Sequence, residues 1–127
     1  MAALVVDSSA VLANIFVEPG HERLVGLKSP AFISAVNMAE VRTRLIEYGM
    51  KPENIDDSFS HLKIAIVDFT NADATATALL RPATRKAGLS LADRACLALA
   101  IAKSAIAVTA DRAWAKLELP VEVELIR

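Results

Sequence analysis

Asp7, Glu40, Asp93 and Asp111 are the residues of this chain whose type and placement can do chemistry. Asp7 follows the apolar run Leu4-Val5-Val6, and Asp111 follows Ile106-Ala107-Val108-Thr109-Ala110. Glu40 and Asp93 stand near the starts of segments introduced by Ser34 and Ser90, residue types that cap helices. In a parallel α/β fold, strand C-termini and helix N-termini open on the same edge of the sheet. Carboxylates gathered there repel one another, and a hard divalent cation relieves the repulsion. No His or Cys adjoins the four acids, so the donors are all oxygen, which narrows the cation to Mg²⁺ or Mn²⁺. Such a site lowers the pKa of a bound water and neutralises charge developing on a phosphodiester under attack.

Each acid has an ordinary role to set against this one. Asp7 and Asp111 each stand where a capping or turn aspartate is common. Glu40, early in a helix, is favourable to the helix dipole and needs no further role, and it lies off the core stripe. Ser90-Leu91-Ala92-Asp93 has the form of a capping box, which would hold the Asp93 carboxylate at the sheet edge whatever else it does. The set of four carries more weight than any member.

The elements that must position them follow from composition and pattern. The chain has 127 residues, 54% hydrophobic and 23% charged, which is enough for one domain, 1–127, with a sizeable core. The apolar surplus implies surface covered by a partner. A net charge of −1 offers no global basic field for nucleic acid. The single Cys96 excludes a disulfide framework and, in its apolar run, reads as a buried inert thiol. No secretory signal is visible, and Asp93, Arg94 and Lys103 interrupt the most hydrophobic stretch, so no membrane span and a cytoplasmic protein are expected.

Leu4–Val6 reads as a buried central strand, followed by a helix that Ser8-Ser9 precede. Glu18-Pro19-Gly20 breaks it, and residues 21–27 form another short helix. Residues 31–33 make a second strand, and Ser34 caps a helix running to Gly49 with Met38, Val41, Leu45 and Ile46 as its stripe. Pro52 opens a helix carrying Ile55, Phe59 and Leu62, then residues 64–69 form a strand. Asn71 caps a helix that Pro82 should kink or split. Residues 91–104 form a buried helix, 106–109 a strand, 113–117 a short helix and 121–125 a last strand. Strands alternating with helices predict a parallel sheet covered on both faces.

Four segments, taken in order, resemble the PIN domain and more narrowly the VapC-type ribonuclease toxins of bacterial toxin–antitoxin pairs. They are Val5-Val6-Asp7-Ser8-Ser9-Ala10, Asn37-Met38-Ala39-Glu40, residues 89–100 around Ser90 and Asp93, and Thr109-Ala110-Asp111-Arg112-Ala113-Trp114. The resemblance spans nearly the whole chain. It implies an α/β/α sandwich with a parallel five-stranded sheet and a Mg²⁺- or Mn²⁺-dependent endoribonuclease. Asp7 and Asp93 would be the most direct metal ligands, with Glu40 and Asp111 completing the cluster. A homodimer and a cognate antitoxin lying over the active-site groove are also implied. Ser9 and Thr109 would orient a water or phosphate, or else satisfy local backbone groups. Arg94 and Arg112, each following an acid, would touch substrate or moderate the pocket's charge. Arg81, Arg85 and Lys86 read as a solvated face before a phosphate-binding one, and Trp114 as packing before base stacking.

Rival chemistries lose a residue each. A haloacid-dehalogenase-type phosphatase wants a second aspartate where this chain has Ser9, and a signalling receiver wants adjacent acids where Ser8 follows Asp7. The non-enzymatic alternative is an interaction module, regulated by a protein partner, that keeps the fold and lacks the chemistry.

Overall fold

The computed structural model describes residues 1–127. Five parallel strands form one sheet in the order β3-β2-β1-β4-β5, with β1 Leu4–Val6, β2 Ala31–Ser34, β3 Ala65–Val67, β4 Ile106–Thr109 and β5 Glu122–Leu125. The chain steps outward from β1 through β2 to β3, then returns to lay β4 on the other side of β1. That reversal makes the C-terminal ends of β1 and β4 a topological switch point, where open α/β sheets form their crevice. Asp7 immediately follows β1, and Asp111 lies two residues beyond β4.

The pleat divides the core. Leu4 and Val6 point to one face, where they meet Val11 of α1 (Ser8–Ile15), Met38, Val41 and Leu45 of α2 (Ala35–Glu47) and Ile55 of α3 (Ile55–Phe59). Val5 points to the other, toward Cys96, Leu97 and Ala100 of α6 (Leu91–Ala102) and toward Trp114. Helix α4 (Asn71–Leu79) packs on α6 from outside, and a break at Leu80 separates it from α5 (Arg81–Thr84), which carries Pro82 in its first turn. The result is the expected three-layer α/β/α sandwich. The thiol of Cys96 is fully buried, and burial pushes it well above its ordinary pKa, in keeping with an inert core role.

Several boundaries differ from the pattern for local reasons. Ser8 and Ser9 lie inside α1, not before it, because Asp7 takes the N-cap position. Thr70, not Asn71, caps α4, its hydroxyl accepting from the Asp73 amide while the Asp73 carboxylate accepts from its own. Strand β3 is shorter than residues 64–69 because it is the sheet edge, with Ala65 and Ile66 exposed and one side unpaired. The helix expected over 21–27 is a 3₁₀ turn, His21–Leu24, and the one expected over 113–117 is a 3₁₀ turn, Arg112–Lys116. Gly20 sits at φ +89° with its Cα against the backbone of Ile126, where a side chain has no room. No helix is long and apolar enough to cross a membrane.

Trp114 is fully buried and anchors the Arg112–Lys116 turn that follows Asp111, while its indole N–H finds no acceptor. Trp114→Ala should therefore cost about 3–5 kcal/mol in urea unfolding. Trp114→Phe keeps most of the packing and removes the unpaired donor, so it should cost less than about 1.5 kcal/mol. Equal losses for the two variants would show that packing at Trp114 does not hold this turn.

Candidate active site

Strand β1 is buried along its whole length and delivers Asp7 into the interior, where the residue is only 3% exposed. Asp7 stands at the N-cap position of α1, yet its carboxylate accepts no hydrogen bond from the backbone of the first turn. Side chains hold it instead. The hydroxyls of Ser9 (2.7 Å) and Thr109 (2.9 Å) donate to Oδ2, and the Asn37 amide donates to Oδ1 at 3.3 Å. Three elements, α1, β4 and α2, thus converge on one carboxylate.

The other three acids ring the same pocket, of about 230 Å³, with Ser8, Ser9 and Arg44. Glu40 is exposed on α2, and its Oε1 accepts from the Ser8 hydroxyl at 2.5 Å. Asp93 completes the capping box of α6: the Ser90 amide donates to its Oδ2, and its own amide donates to the Ser90 hydroxyl. Asp111 caps the turn after β4, its Oδ1 accepting from the Ala113 amide. Each of these three carboxylates commits one oxygen to a local donor and keeps the other without a partner. The ordinary and the chemical roles of Asp93 and Asp111 are therefore compatible, because capping uses only half of each group.

Burial pushes the Asp7 carboxyl up to about 6, against an ordinary 3.8, with the negative charges of Asp93 and Glu40 adding to the rise. The hydroxyls of Ser9 and Thr109, which stabilise the ionised form, recover part of it. The donor chemistry fits a hard cation: carboxylate and hydroxyl oxygens, no nitrogen or sulfur ligand, and a repulsion that a positive charge would relieve. As they stand, however, no three acidic, histidine or cysteine side chains draw together closely enough to enclose one ion. A cation binding here must pull the carboxylates inward.

The structure brings Asp7, Glu40, Asp93 and Asp111 together, along with Ser9, and sets Thr109 behind Asp7. Ser9 and Thr109 are braces for Asp7 in this arrangement; they also accept from the Ala110 and Asp111 amides, which ties the β4 end to the same net. Arg94 does not reach the pocket. It points toward α4, donating to the Thr77 carbonyl at 3.2 Å, and it neither contacts nor neutralises an acid. Arg112 lies next door, in a groove with Lys86 and Lys116. His21, His61 and the fully buried Trp114 are all outside the pocket.

Three further residues join the site without an acidic side chain to mark them in the sequence. Asn37 is fully buried and binds Asp7, Ser8 and the Ala92 carbonyl, so it joins α2 to α1 and α6. Ser8 links Asn37 to Glu40. Arg44 follows Glu40 by one helical turn. The available signal is a second stripe on α2: Asn37, Glu40 and Arg44 recur at helical spacing beside the apolar Met38, Val41 and Leu45.

The family model of the PIN domain matches residues 4–119. No curated protein sequence matches the chain. Among solved structures, it is similar to the DNA-bound VapBC of Salmonella typhimurium at 19% identity, with a TM-score of 0.75 and 100% of each chain covered. It is also similar to VapBC2 from Rickettsia felis, bound to a promoter DNA fragment, at 18% identity with a TM-score of 0.73, covering 96% of this chain and 97% of that one. A third likeness is to VapC20 of Mycobacterium tuberculosis, a sarcin–ricin loop cleaving toxin, at 16% identity with a TM-score of 0.71, covering 94% and 98%. At these identities the likeness establishes the fold.

The raised carboxyl has a consequence for stability without metal. A carboxyl whose folded pKa lies above its unfolded value stabilises the fold fully below the unfolded value and loses that contribution as pH rises through the folded one. For Asp7 the window runs from about 3.8 to about 6, and the full swing is ~3 kcal/mol. In EDTA, Asp7→Asn should therefore gain melting temperature relative to the parent protein at pH 7.5 compared with pH 4.5, by several degrees. A parent–variant difference that stays constant across that range would contradict the buried, charge-strained carboxylate.

Proposed function

From a chain that belongs to the PIN-domain family, we propose a divalent-metal-dependent endoribonuclease that serves as the toxin of a bacterial toxin–antitoxin pair. One observation carries this reading: four carboxylates from four separate segments ring one pocket at the sheet's switch point, over a buried Asp7 held by three side-chain donors. Keeping an aspartate buried and ionisable beside two other acids costs stability, and a structural turn would not need it. The fold and the likeness to VapBC complexes support the toxin–antitoxin assignment.

In this reading Asp7 and Asp93 hold Mg²⁺ or Mn²⁺ most directly, and Glu40 and Asp111 complete the cluster. When bound, the cation would make a water more acidic and offset charge developing on a phosphodiester under attack. The chain's own residues prepare that chemistry. Ser9, Thr109 and Asn37 hold Asp7 by donating to both of its oxygens, which favours the ionised form needed for a ligand. Ser8 holds Glu40 by donating to one of its oxygens, and the Ser90 cap fixes Asp93 at the start of α6. RNA is the substrate, a protein antitoxin the inhibitor, and a cytoplasmic homodimer the working form. The exposed side chains of Val17, Tyr48, Leu79 and Leu91 are apolar surface that such partners would cover.

The separation of the carboxylates gives the inactive-module alternative its one point of support. Cleavage assays decide between the two. The purified protein should cut RNA with Mg²⁺ or Mn²⁺ and not with EDTA. Asp7→Asn and Asp93→Asn should each lose at least the ~10–100-fold that disturbing a metal site costs. Saturating Mn²⁺ should also raise the melting temperature, since it binds only the assembled carboxylates. Cleavage that survives in both variants, or in EDTA, would sink the mechanism, and no cleavage together with no thermal shift would favour the inactive module.

A further inference from the structure

A polyanion cannot lie against four carboxylates unless cations beside them hold it there. The chain carries a net charge of −1, so any such cations must be local. They are present in the acidic pocket and in a groove that adjoins it in the chain. Arg44 lines the pocket itself, a helical turn beyond Glu40. The residue after Asp111 opens a wide groove of about 780 Å³, where Lys86, Arg112 and Lys116 stand over an apolar floor that includes Ala113 and Leu117. All four cations are exposed, and none forms an ion pair; the chain's charged pairs are His21–Glu22, Arg23–Glu124, Arg42–Asp56 and Arg127–Glu18. The groove holds one acid, Glu118.

The groove is also fixed in relation to the site. Asp111 caps the turn that carries Arg112 and Lys116, and buried Trp114 pins that turn to the core. Lys86 lies on the connection leading to Ser90 and the start of α6, where Asp93 sits. The same two segments therefore present an acid to the pocket and cations to the groove.

We propose that these cations form a track for a single RNA strand. Lys86, Arg112 and Lys116 grip the backbone phosphates in the groove and Arg44 grips a phosphate in the pocket, so that the strand crosses the carboxylates. The apolar floor of the groove accepts the faces of sugars or bases, which an acidic peptide of similar charge does not need. This rests on the nuclease reading for its substrate, but strand binding is measured without turnover.

The test is the anisotropy of a labelled 12-nucleotide single-stranded RNA with the full chain in EDTA, over a range of salt concentrations. Lys86→Ala/Arg112→Ala/Lys116→Ala should weaken binding roughly tenfold or more at moderate salt and flatten the log–log salt slope by about 2, the loss of three single-strand phosphate contacts. Arg44→Ala should flatten it by less than about 1. A control with the same loss of charge elsewhere, Lys28→Ala/Lys51→Ala/Lys63→Ala, should leave the slope unchanged; equal weakening there would reduce the effect to net charge and overturn the track. Parental RNA binding that survives the groove variant unchanged would overturn it, as would polyglutamate binding that depends on the groove while RNA binding does not. If the parent binds RNA through these cations but does not cut it with Mn²⁺, the track stands and the nuclease reading fails. If it neither binds nor cuts RNA, both fail.

Discussion

The buried carboxylate of Asp7 is the constraint around which the rest of this molecule is arranged. A strand without polar alternation carries it into the interior, where an ionised group is costly unless donors surround it. Those donors come from positions 9, 37 and 109, which are far apart in sequence and reach Asp7 only when α1, α2 and β4 are all in place. The same hydroxyls accept from the Ala110 and Asp111 amides, so the net that steadies Asp7 also sets the turn carrying Asp111. Asn37 extends it to the Ala92 carbonyl, one residue before Asp93. Satisfying one buried charge thus places the segments that bear all four acids.

This net does not remove the strain; it lowers it. Burial and the neighbouring acids leave Asp7 above its ordinary pKa even with its donors in place. The surrounding carboxylates each keep an oxygen free, and none is neutralised by a side-chain cation of this chain. Charge is therefore sorted: acids concentrate at the switch point and unpaired bases flank them. A globular fold alone has no use for such a separation, since interspersed opposite charges are more favourable. It makes sense where a cation and an anionic chain meet.

Much of the architecture is legible in the residues because the signals are local. The buried strands Leu4–Val6 and Ile106–Thr109, the Ser34 cap, the Ser90–Asp93 capping box and the helix break before Pro82 all rest on interactions within a few residues. Sequence and structure part where two local solutions compete. Thr70 outdoes Asn71 as a cap because Asp73, three residues on, reciprocates. The strand after Ile64 is trimmed by its edge position, which only the strand order reveals. Arg94 adjoins Asp93 in the chain, but successive helical residues point roughly 100° apart. Asp93 turns to the pocket, and Arg94 turns to α4.

The sequence by itself determined that this chain has alternating buried strands and helices, with acids at three element boundaries, a fourth in the second turn of a helix and no soft ligand near them. Those properties follow from residue type and short-range geometry, and the ordered segments made the family recognisable. Only the tertiary structure decided which of these residues share a site and what each does there. It placed β4 beside β1, so that the Thr109 and Ser9 hydroxyls both donate to Asp7. It drew Asn37, Ser8 and Arg44 into the site and sent Arg94 away. The reason is that hydrogen bonding and charge act through space over a few ångströms, whereas the hydrogen bonds that Asn37 and Thr109 donate in the site join residues 29 to 102 positions apart.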